Sequence, residues 1–310
     1  MAGEIRAVID VGTNSVKLLV ADVEGRTVRP LHESSRQTRL GQGFYETRLL
    51  QAGAIDQTAK AVGEFAHEAR RWQPAVIKVI GTSAVRDAIN QKQLAAALEA
   101  AAGVRVQVIT GEQEADWAYQ GVTSDPLLEA QNLLVMDGGG GSTEFILGHE
   151  GKRLFAESFP IGSVRLLEKM AVSDPPRDSE LGACEKEVRA VLESGLKPRL
   201  EPPLRTLPGK VQLVGTGGTS TILARVKLKM RSFNRELIEG TFLSRDEVHH
   251  EIMRLWRMPL EQRKHIIGLP PNRADVILTG TVIFHQVMEV FGLESLRVST
   301  RGLRFAALMD

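Results

Sequence analysis

The fold is decided by the stretch Asn132-Leu-Leu-Val-Met-Asp137-Gly-Gly-Gly-Gly141-Ser-Thr-Glu-Phe145. Its apolar first half is typical of a buried strand, and this strand ends at Asp137. The apolar residues 145–147 predict a second strand directly after the turn. Between the two strands, the glycines form a tight turn whose backbone can approach a ligand closely, because glycine has no Cβ. The pattern is therefore strand, acid, glycine turn and strand.

This glycine turn has the chemistry of an anion site. Successive backbone N–H groups in such a turn form a nest that binds anions, and Ser142 and Thr143 add hydroxyl donors. Asp137 and Glu144 offer hard oxygen ligands for a cation that offsets phosphate charge. The alternative is a plain hairpin turn. Such a turn needs only one or two glycines, so four glycines with flanking acids favour a ligand-binding loop.

The same pattern opens the chain. An apolar run over residues 5–11 predicts a strand that includes Asp10, and the turn residues Gly12-Thr13-Asn14-Ser15 follow it. A second apolar run begins directly after this turn and includes Lys17. This lysine would direct a cation at the ligand of the turn, although a solvated lysine at a strand end is the simpler interpretation of that residue alone. The repeat suggests two related domains that face one cleft.

Turn and helix patterns extend this organisation along the chain. A third turn of glycines and hydroxyls, Gly215-Thr-Gly217-Gly-Thr-Ser220, follows a predicted strand and opens a helix, whose N-terminus favours anions. Residues 36–44 are predicted to form a mobile loop. Periodicity and breaker residues predict longer helices over residues 54–72, over 179–200 with an end frayed by Gly195 and Pro198, and over 273–291.

The order of these elements predicts an α/β protein with two domains. The first domain covers residues 1–125 and the second covers 126–310, with Ser124-Asp125-Pro126 as the boundary. The last helix, about residues 301–310, is expected to pack back on the first domain. A chain of 310 residues is long enough for two such cores.

Composition excludes several classes of protein. A net charge of +1 gives no global argument for nucleic acid or a membrane surface, so any polyanion must be bound by local clusters. Cys184 is the single cysteine, which excludes a disulfide framework and a cysteine-based metal site. No apolar run approaches the length of a membrane span, and no signal-type segment is present. These features predict a cytoplasmic protein with no nucleic-acid or membrane partner.

The motifs together resemble the Ppx/GppA family, which comprises exopolyphosphatases and guanosine pentaphosphate phosphohydrolases. They run in family order from one end of the chain to the other. The matching stretches are Ala7-Val-Ile-Asp-Val-Gly-Thr-Asn-Ser15, Gly81-Thr-Ser-Ala-Val-Arg-Asp-Ala-Ile-Asn90, Ile109-Thr-Gly-Glu-Gln-Glu-Ala115, Met136-Asp-Gly-Gly-Gly-Gly-Ser-Thr-Glu144, Gly215-Thr-Gly-Gly-Thr219, Arg273-Ala-Asp275 and Val298-Ser-Thr-Arg-Gly-Leu-Arg304.

The resemblance implies a fold and an activity. The fold is a pair of actin-like (ribonuclease H-like) ATPase domains of the sugar kinase/heat-shock chaperone/actin superfamily around an interdomain cleft, here in the short two-domain form. The activity is exopolyphosphatase: hydrolysis of the terminal phosphoanhydride of inorganic polyphosphate, dependent on Mg²⁺ or another divalent ion. Guanosine pentaphosphate (pppGpp) is the alternative substrate, and a homodimer is expected.

The resemblance also assigns roles to residues of this chain. Glu114 matches the catalytic glutamate that activates water, and Arg86 matches a phosphate-binding arginine of the catalytic set. Asp137 and Glu144 match the acids implicated in binding magnesium. The expected phosphate-binding residues are Asp10, Gly12, Thr13, Asn14, Ser15, Lys17, Gly139, Gly140, Gly141, Ser142, Thr143 and Gly217. Gln113, Gly138 and Phe305 depart from the family pattern.

Simpler interpretations exist for the key side chains. Glu114 could be a first-turn helix glutamate that interacts with the helix dipole, and Arg86 could form a surface salt bridge. Trp72, Trp117 and Trp256 are expected in the core. The basic run Arg225, Lys227, Lys229, Arg231 and Arg235 could line a polyanion track or form a solvated helix face.

Two other functions compete with hydrolysis. A kinase-like phosphotransferase would use the same fold, but a glutamate poised to activate water argues against it. A sensor that binds nucleotide or polyphosphate without turnover would not need the intact acids Glu114, Asp137 and Glu144.

Overall fold

The computed structural model describes residues 3–310 as two compact units. The first unit ends at Ser124 and also contains Leu303–Asp310, and the second unit is Asp125–Gly302. Among the described residues, no helix is both long and apolar enough to cross a membrane.

The first unit is built on one mixed sheet. Its strands are β1 (Glu4–Val11), β2 (Ser15–Glu24), β3 (Thr27–Gln37), β4 (Val76–Gly81) and β5 (Val106–Val108), in the order β3-β2-β1-β4-β5. Its helices are α1 (Phe44–Thr47), α2 (Ala52–Arg70), α3 (Ser83–Asp87), α4 (Gln91–Ala102), α5 (Gly111–Thr123) and the C-terminal helix (Leu303–Met309).

Both faces of this sheet are covered, because side chains of a strand alternate between its two faces. On β1, Ala7 and Ile9 join the core cluster that includes residues of α2 and α4. Val8 joins a second cluster with Trp117 of α5 and with the C-terminal helix.

The second unit is built on a six-stranded sheet. Its strands are β6 (Leu133–Gly138), β7 (Thr143–His149), β8 (Lys152–Phe159), β9 (Gln212–Gly217), β10 (Phe242–Ser244) and β11 (Ser295–Val298), in the order β10-β11-β9-β6-β7-β8. Its helices are α6 (Pro126–Glu129), α7 (Ser163–Met170), α8 (Asp178–Val191), α9 (Lys197–Arg205), α10 (Gly218–Lys227), α11 (Arg235–Ile238), α12 (Arg245–Trp256), α13 (Leu260–Arg263) and α14 (Ile277–Val290).

The two sheets share one topology. In each unit, three consecutive antiparallel strands are followed by parallel strands added on the other side of the first strand: β3-β2-β1-β4-β5 corresponds to β8-β7-β6-β9-β11. This repeated order confirms the predicted fold class of two actin-like α/β domains.

Some predicted elements are wrong. Residues 36–37 belong to β3, so Arg36 lies opposite Val16 in the sheet and not in a loop. The helix predicted over 179–200 does not fray at Pro198. A π-helical turn over Leu192–Leu196 joins α8 to α9 without a break, and Pro198 is the second residue of α9.

The third long helix begins later than predicted, at Ile277. Within it, Gly280 allows close approach of α10, because a Cβ there would lie 2.4 Å from Oγ1 of Thr219. Trp117 and Trp256 are buried as predicted, but Trp72 is 37% exposed because α2 ends before it.

Candidate active site

The two hairpin turns predicted as a repeat have the same geometry. In the first, the N–H of Gly12 donates to the carbonyl of Ser15 at 3.0 Å, between paired strands β1 and β2. In the second, the N–H of Gly139 donates to the carbonyl of Ser142 at 3.0 Å, between β6 and β7. The internal repeat read from the sequence is therefore present in the backbone of the structure.

Each turn directs its carbonyl groups to a neighbouring segment. The carbonyl of Thr13 accepts from the N–H of Gly41, and the carbonyl of Asn14 accepts from residues 38 and 39. The carbonyls of Gly139 and Gly140 accept from the first N–H groups of α7, at 2.9–3.1 Å. These bonds fix both turns through their acceptor groups.

Two backbone N–H groups in each turn have no acceptor among the described residues. Among residues 3–310, the backbone N–H groups of Thr13, Asn14, Gly140 and Gly141 donate no hydrogen bond. Two adjacent N–H groups without an acceptor form the nest that binds anions. Each unit therefore presents two adjacent backbone N–H donors in the turn at the end of its first strand.

Side chains differ between the two hairpins at corresponding positions. Asp10 lies directly opposite Lys17 across β1 and β2, whereas Asp137 lies directly opposite Glu144 across β6 and β7. Side chains that face each other across an antiparallel pair are neighbours on one face of the sheet. The first hairpin thus pairs an acid with a cation, and the second pairs two acids.

Burial dominates the electrostatics of Asp10. Its Oδ1 atom is buried and has no hydrogen-bond partner among residues 3–310. Loss of solvation raises the pKa of the Asp10 carboxyl above its ordinary value, and the charges of Lys17 and Arg304 oppose this rise.

This raised pKa makes a stability prediction for Asp10→Asn. An acid whose folded pKa lies above its unfolded pKa contributes stability at low pH, and that contribution is lost as pH rises through the folded pKa. The variant lacks this loss, so its melting temperature should exceed that of wild type at neutral pH, with a difference that shrinks towards pH 4. Thermal unfolding between pH 4 and 8, without divalent ions or phosphate, measures this. Asp56→Asn, at an exposed position of the same unit, is the charge control. A constant or inverted difference would contradict the prediction.

The acid pair of the second hairpin is firmly held. Glu144 is 1% exposed, and its Oε1 accepts hydrogen bonds from Oγ of Ser142 at 2.8 Å and Oγ of Ser158 at 2.7 Å. Asp137 also lies beside Gly217, where a Cβ would come within 2.8 Å of Asp137 Oδ1. Gly217 has φ 95°, which favours glycine, so backbone conformation and space both require it.

Two neighbouring carboxylates fit a divalent cation, since Mg²⁺ prefers one or two carboxylates with the remaining ligands from water and phosphate. Among the described residues, no group of three or more His, Cys, Asp or Glu side chains could hold a metal ion. The Asp137–Glu144 pair therefore offers carboxylate oxygens, and a cation bound there would need its remaining ligands from other sources.

Glu114 and Arg86 come together at the edge of the first sheet. They follow the parallel neighbours β5 and β4, whose carboxyl ends share one edge with the turn after β1. Nη1 of Arg86 donates to Oε2 of Glu114 at 2.9 Å and to the carbonyl of Ile109 at 3.1 Å. Glu114 is 8% exposed, near the start of a helix capped by Thr110. Glu114 does lie in the first turn of α5 and Arg86 does form a salt bridge, so both simpler interpretations remain compatible with the structure. The burial of Glu114 is the feature that an ordinary first-turn acid would not require.

Two hydroxyl groups that were predicted to bind phosphate donate hydrogen bonds to acceptors within the protein. Thr143 is fully buried, and its hydroxyl donates to the carbonyl of Ile161 at 2.6 Å. This bond links the start of β7 to the segment before α7. The hydroxyl of Ser142 donates to Glu144. Ser158, which sequence reasoning did not single out, shares this acceptor.

Gly138 has a packing explanation. A Cβ at Gly138 would lie 2.8 Å from the ring of Phe284 on α14, and a Cβ at Gly215 would lie 2.7 Å from the same ring. Phe284 therefore fills the space that a larger residue at position 138 would need.

The basic run over residues 225–235 is largely used within the second unit. Nζ of Lys227 pairs with Glu247 at 2.7 Å, and Nη1 of Arg235 donates to the carbonyl of Thr300 at 2.6 Å. Arg225 is half-buried and donates to the carbonyl of Arg231 at 3.3 Å. These contacts favour the solvated, structural interpretation of the run over a polyanion track.

Similar proteins cover almost the whole chain. Exopolyphosphatase 2 of Mycobacterium tuberculosis is 34% identical, over 96% of this chain and 95% of that protein. The structure of the Aquifex aeolicus PPX-GPPA enzyme is 30% identical and covers 99% of both chains with a TM-score of 0.78. An exopolyphosphatase structure from Cytophaga hutchinsonii is 27% identical and covers 98% of this chain and 96% of that chain, with a TM-score of 0.87. The model of the Ppx/GppA phosphatase family matches residues 19–310, and this chain therefore belongs to that family of hydrolases.

Proposed function

We propose that this phosphatase is an exopolyphosphatase, which hydrolyses the terminal phosphoanhydride bond of inorganic polyphosphate and releases orthophosphate. The observation that carries the proposal is the pair of matched turns, each with two N–H groups that donate no hydrogen bond within residues 3–310 and each preceded by an acid. Exopolyphosphatases among the relatives support the choice of substrate.

Phosphoanhydride hydrolysis needs positioning and charge neutralisation more than covalent catalysis. The N–H groups of the two turns bind phosphate oxygens. The planar guanidinium of Arg86 has several donors, so it can bind a phosphate oxygen while it also donates to Glu114. Glu114 orients the attacking water and accepts its proton as the water oxygen bonds to the terminal phosphorus. The phosphorus–oxygen bond to the rest of the chain breaks, and the shortened chain leaves with the negative charge on its new terminal oxygen.

We further propose Mg²⁺ as the cofactor, held by Asp137 and Glu144. When bound, it offsets the negative charge of the phosphates. Support comes from the direct opposition of these carboxylates across β6 and β7 and from the two serine donors that fix one of them.

One assay separates the candidate substrates. Phosphate release is measured from long-chain polyphosphate, pppGpp and ATP, each with Mg²⁺ and with chelator. We expect release from polyphosphate that requires Mg²⁺. A preference for pppGpp would assign the protein to the nucleotide branch, and no release from any substrate by folded protein would overturn the hydrolase proposal. The same assay, repeated with other divalent ions in place of Mg²⁺, tests the choice of metal.

The setting of the enzyme is also proposed from the family resemblance and composition. We infer a cytoplasmic homodimer that binds neither nucleic acid nor membranes. Light scattering of purified protein measures the mass against 34.0 kDa for one chain. A mass of one chain at working concentration would overturn the dimer.

A further inference from the structure

A row of polar side chains crosses the sheet of the second unit. Asp137, Glu144 and Ser158 are directly opposite one another on the adjacent strands β6, β7 and β8. Since residues directly opposite across antiparallel strands share a face, the three side chains lie side by side. Ser158 is thus the third member of a row whose other two members are the proposed Mg²⁺ ligands.

Two hydroxyl groups hold one oxygen of Glu144. Ser142, from the glycine turn, and Ser158, from β8, both donate to Oε1, at 2.8 and 2.7 Å. Within residues 3–310, neither hydroxyl makes another hydrogen bond as donor or acceptor. The two donors approach from different elements, so together they fix the rotation of the carboxylate as well as its position.

The serine donors belong to different parts of the site. Ser142 lies in the glycine turn, so a change there also touches the anion-binding backbone. Ser158 is a half-buried residue in a regular part of β8, with no place in any glycine motif. Ser158 therefore allows the orientation of Glu144 to be tested without altering the turn.

We propose that Ser158 is a positioning residue, which orients the Glu144 carboxylate towards the cation and the terminal phosphate. The proposal rests on the proposed function, because it assigns a role to Glu144 in that reaction. Residues that hydrogen-bond to metal ligands commonly change metal affinity or activity by about 10–100-fold when they are replaced.

The test compares Ser158→Ala, Ser158→Thr and a matched control, Ser173→Ala. Ser173 also donates a hydroxyl hydrogen bond to a glutamate in the second unit, to Glu180 at 2.7 Å, but has no proposed role in the reaction. Two readouts are used: polyphosphate hydrolysis at saturating substrate over a range of Mg²⁺, and binding of Mn²⁺ alone by electron paramagnetic resonance.

We expect Ser158→Ala to weaken Mn²⁺ binding or kcat by about 10–100-fold. Ser158→Thr keeps the hydroxyl and should restore most of the loss, and Ser173→Ala should match wild type. In a Glu144→Gln background, Ser158→Ala should have little further effect on Mn²⁺ binding, since its action passes through Glu144.

Other outcomes overturn the proposal in distinguishable ways. An active wild type with an unchanged Ser158→Ala variant would overturn the role of Ser158 alone. A wild type that is inactive on polyphosphate, but whose Mn²⁺ binding still depends on Ser158, would overturn the substrate and keep the positioning role. A loss in Ser158→Thr as large as in Ser158→Ala would make the effect one of packing and overturn the positioning role.

Discussion

Glu114→Gln is expected to lower kcat for phosphate release from polyphosphate by about 10²–10⁴-fold, the usual contribution of a general base. Glutamine keeps the shape of the side chain and can still accept the hydrogen bond that Arg86 donates at 2.9 Å. It cannot accept the proton of the attacking water. The defect should therefore appear in kcat, with the KM for polyphosphate changed much less, because the proposed phosphate-binding turns are untouched.

The matched control for this prediction is Glu112→Gln. Glu112 lies in the same first turn of α5, and its side chain is exposed, whereas Glu114 is buried. A helix-dipole effect would act on both positions, so both variants would then lose a similar, small amount of stability. Steady-state kinetics with thermal melting separate the two roles. Wild-type kcat in Glu114→Gln, with or without a lower melting temperature, would contradict the assignment of the base.

The hairpin turns were predictable because their determinants are local. Glycines, hydroxyls and an acid at a strand end specify the turn without help from the rest of the chain. The same chemistry, found twice, specified the repeat that the sheets then show in their shared strand order. The pairing of Arg86 with Glu114 could be anticipated only in part, because it depends on β4 and β5 being parallel neighbours.

Features that depend on the register of strand pairing could not be predicted from the sequence. Ser158 becomes the neighbour of Glu144 through the pairing of β7 with β8, and this pairing contains a shift of register near Leu147 and Gly148. A shift by one residue would turn the serine to the other face of the sheet. The ring of Phe284 beside Gly138 is equally non-local, because α14 must first pack against β6.

The exposed position of Trp72 was also not predictable from the sequence, in this case because of where a helix ends. The periodicity of α2 places apolar residues on one face, but the helix ends at Arg70. Trp72 then stacks on His32 of β3, with 5.8 Å between ring centroids, at the surface of the first unit. Amphipathic periodicity locates a buried face only while the helix continues.

Gly162→Ala is expected to lower kcat/KM for polyphosphate on the order of 10²-fold, because it displaces the proposed phosphate-binding turn by a fraction of an ångström or more. Gly162 precedes α7 with ordinary extended dihedral angles, so conformation does not require glycine. Space does: a Cβ would lie 2.4 Å from the carbonyl oxygen of Gly140 and 2.6 Å from the carbonyl carbon of Gly141. These are backbone atoms, which cannot rotate away as a side chain can.

The same clash should lower the free energy of unfolding by about 1–3 kcal/mol, as overpacking usually does. Gly182→Ala is the control, because Gly182 is exposed on α8 and a Cβ there would have no neighbour within 4 Å. Alanine in the middle of a helix should raise the free energy of unfolding by about 0.5–1 kcal/mol and leave activity unchanged. Urea unfolding and polyphosphate kinetics of both variants measure the contrast. If Gly162→Ala retained wild-type kcat/KM, small movements of the Gly139–Ser142 turn would not matter to catalysis, and the role of this turn in holding the terminal phosphate would have to be abandoned.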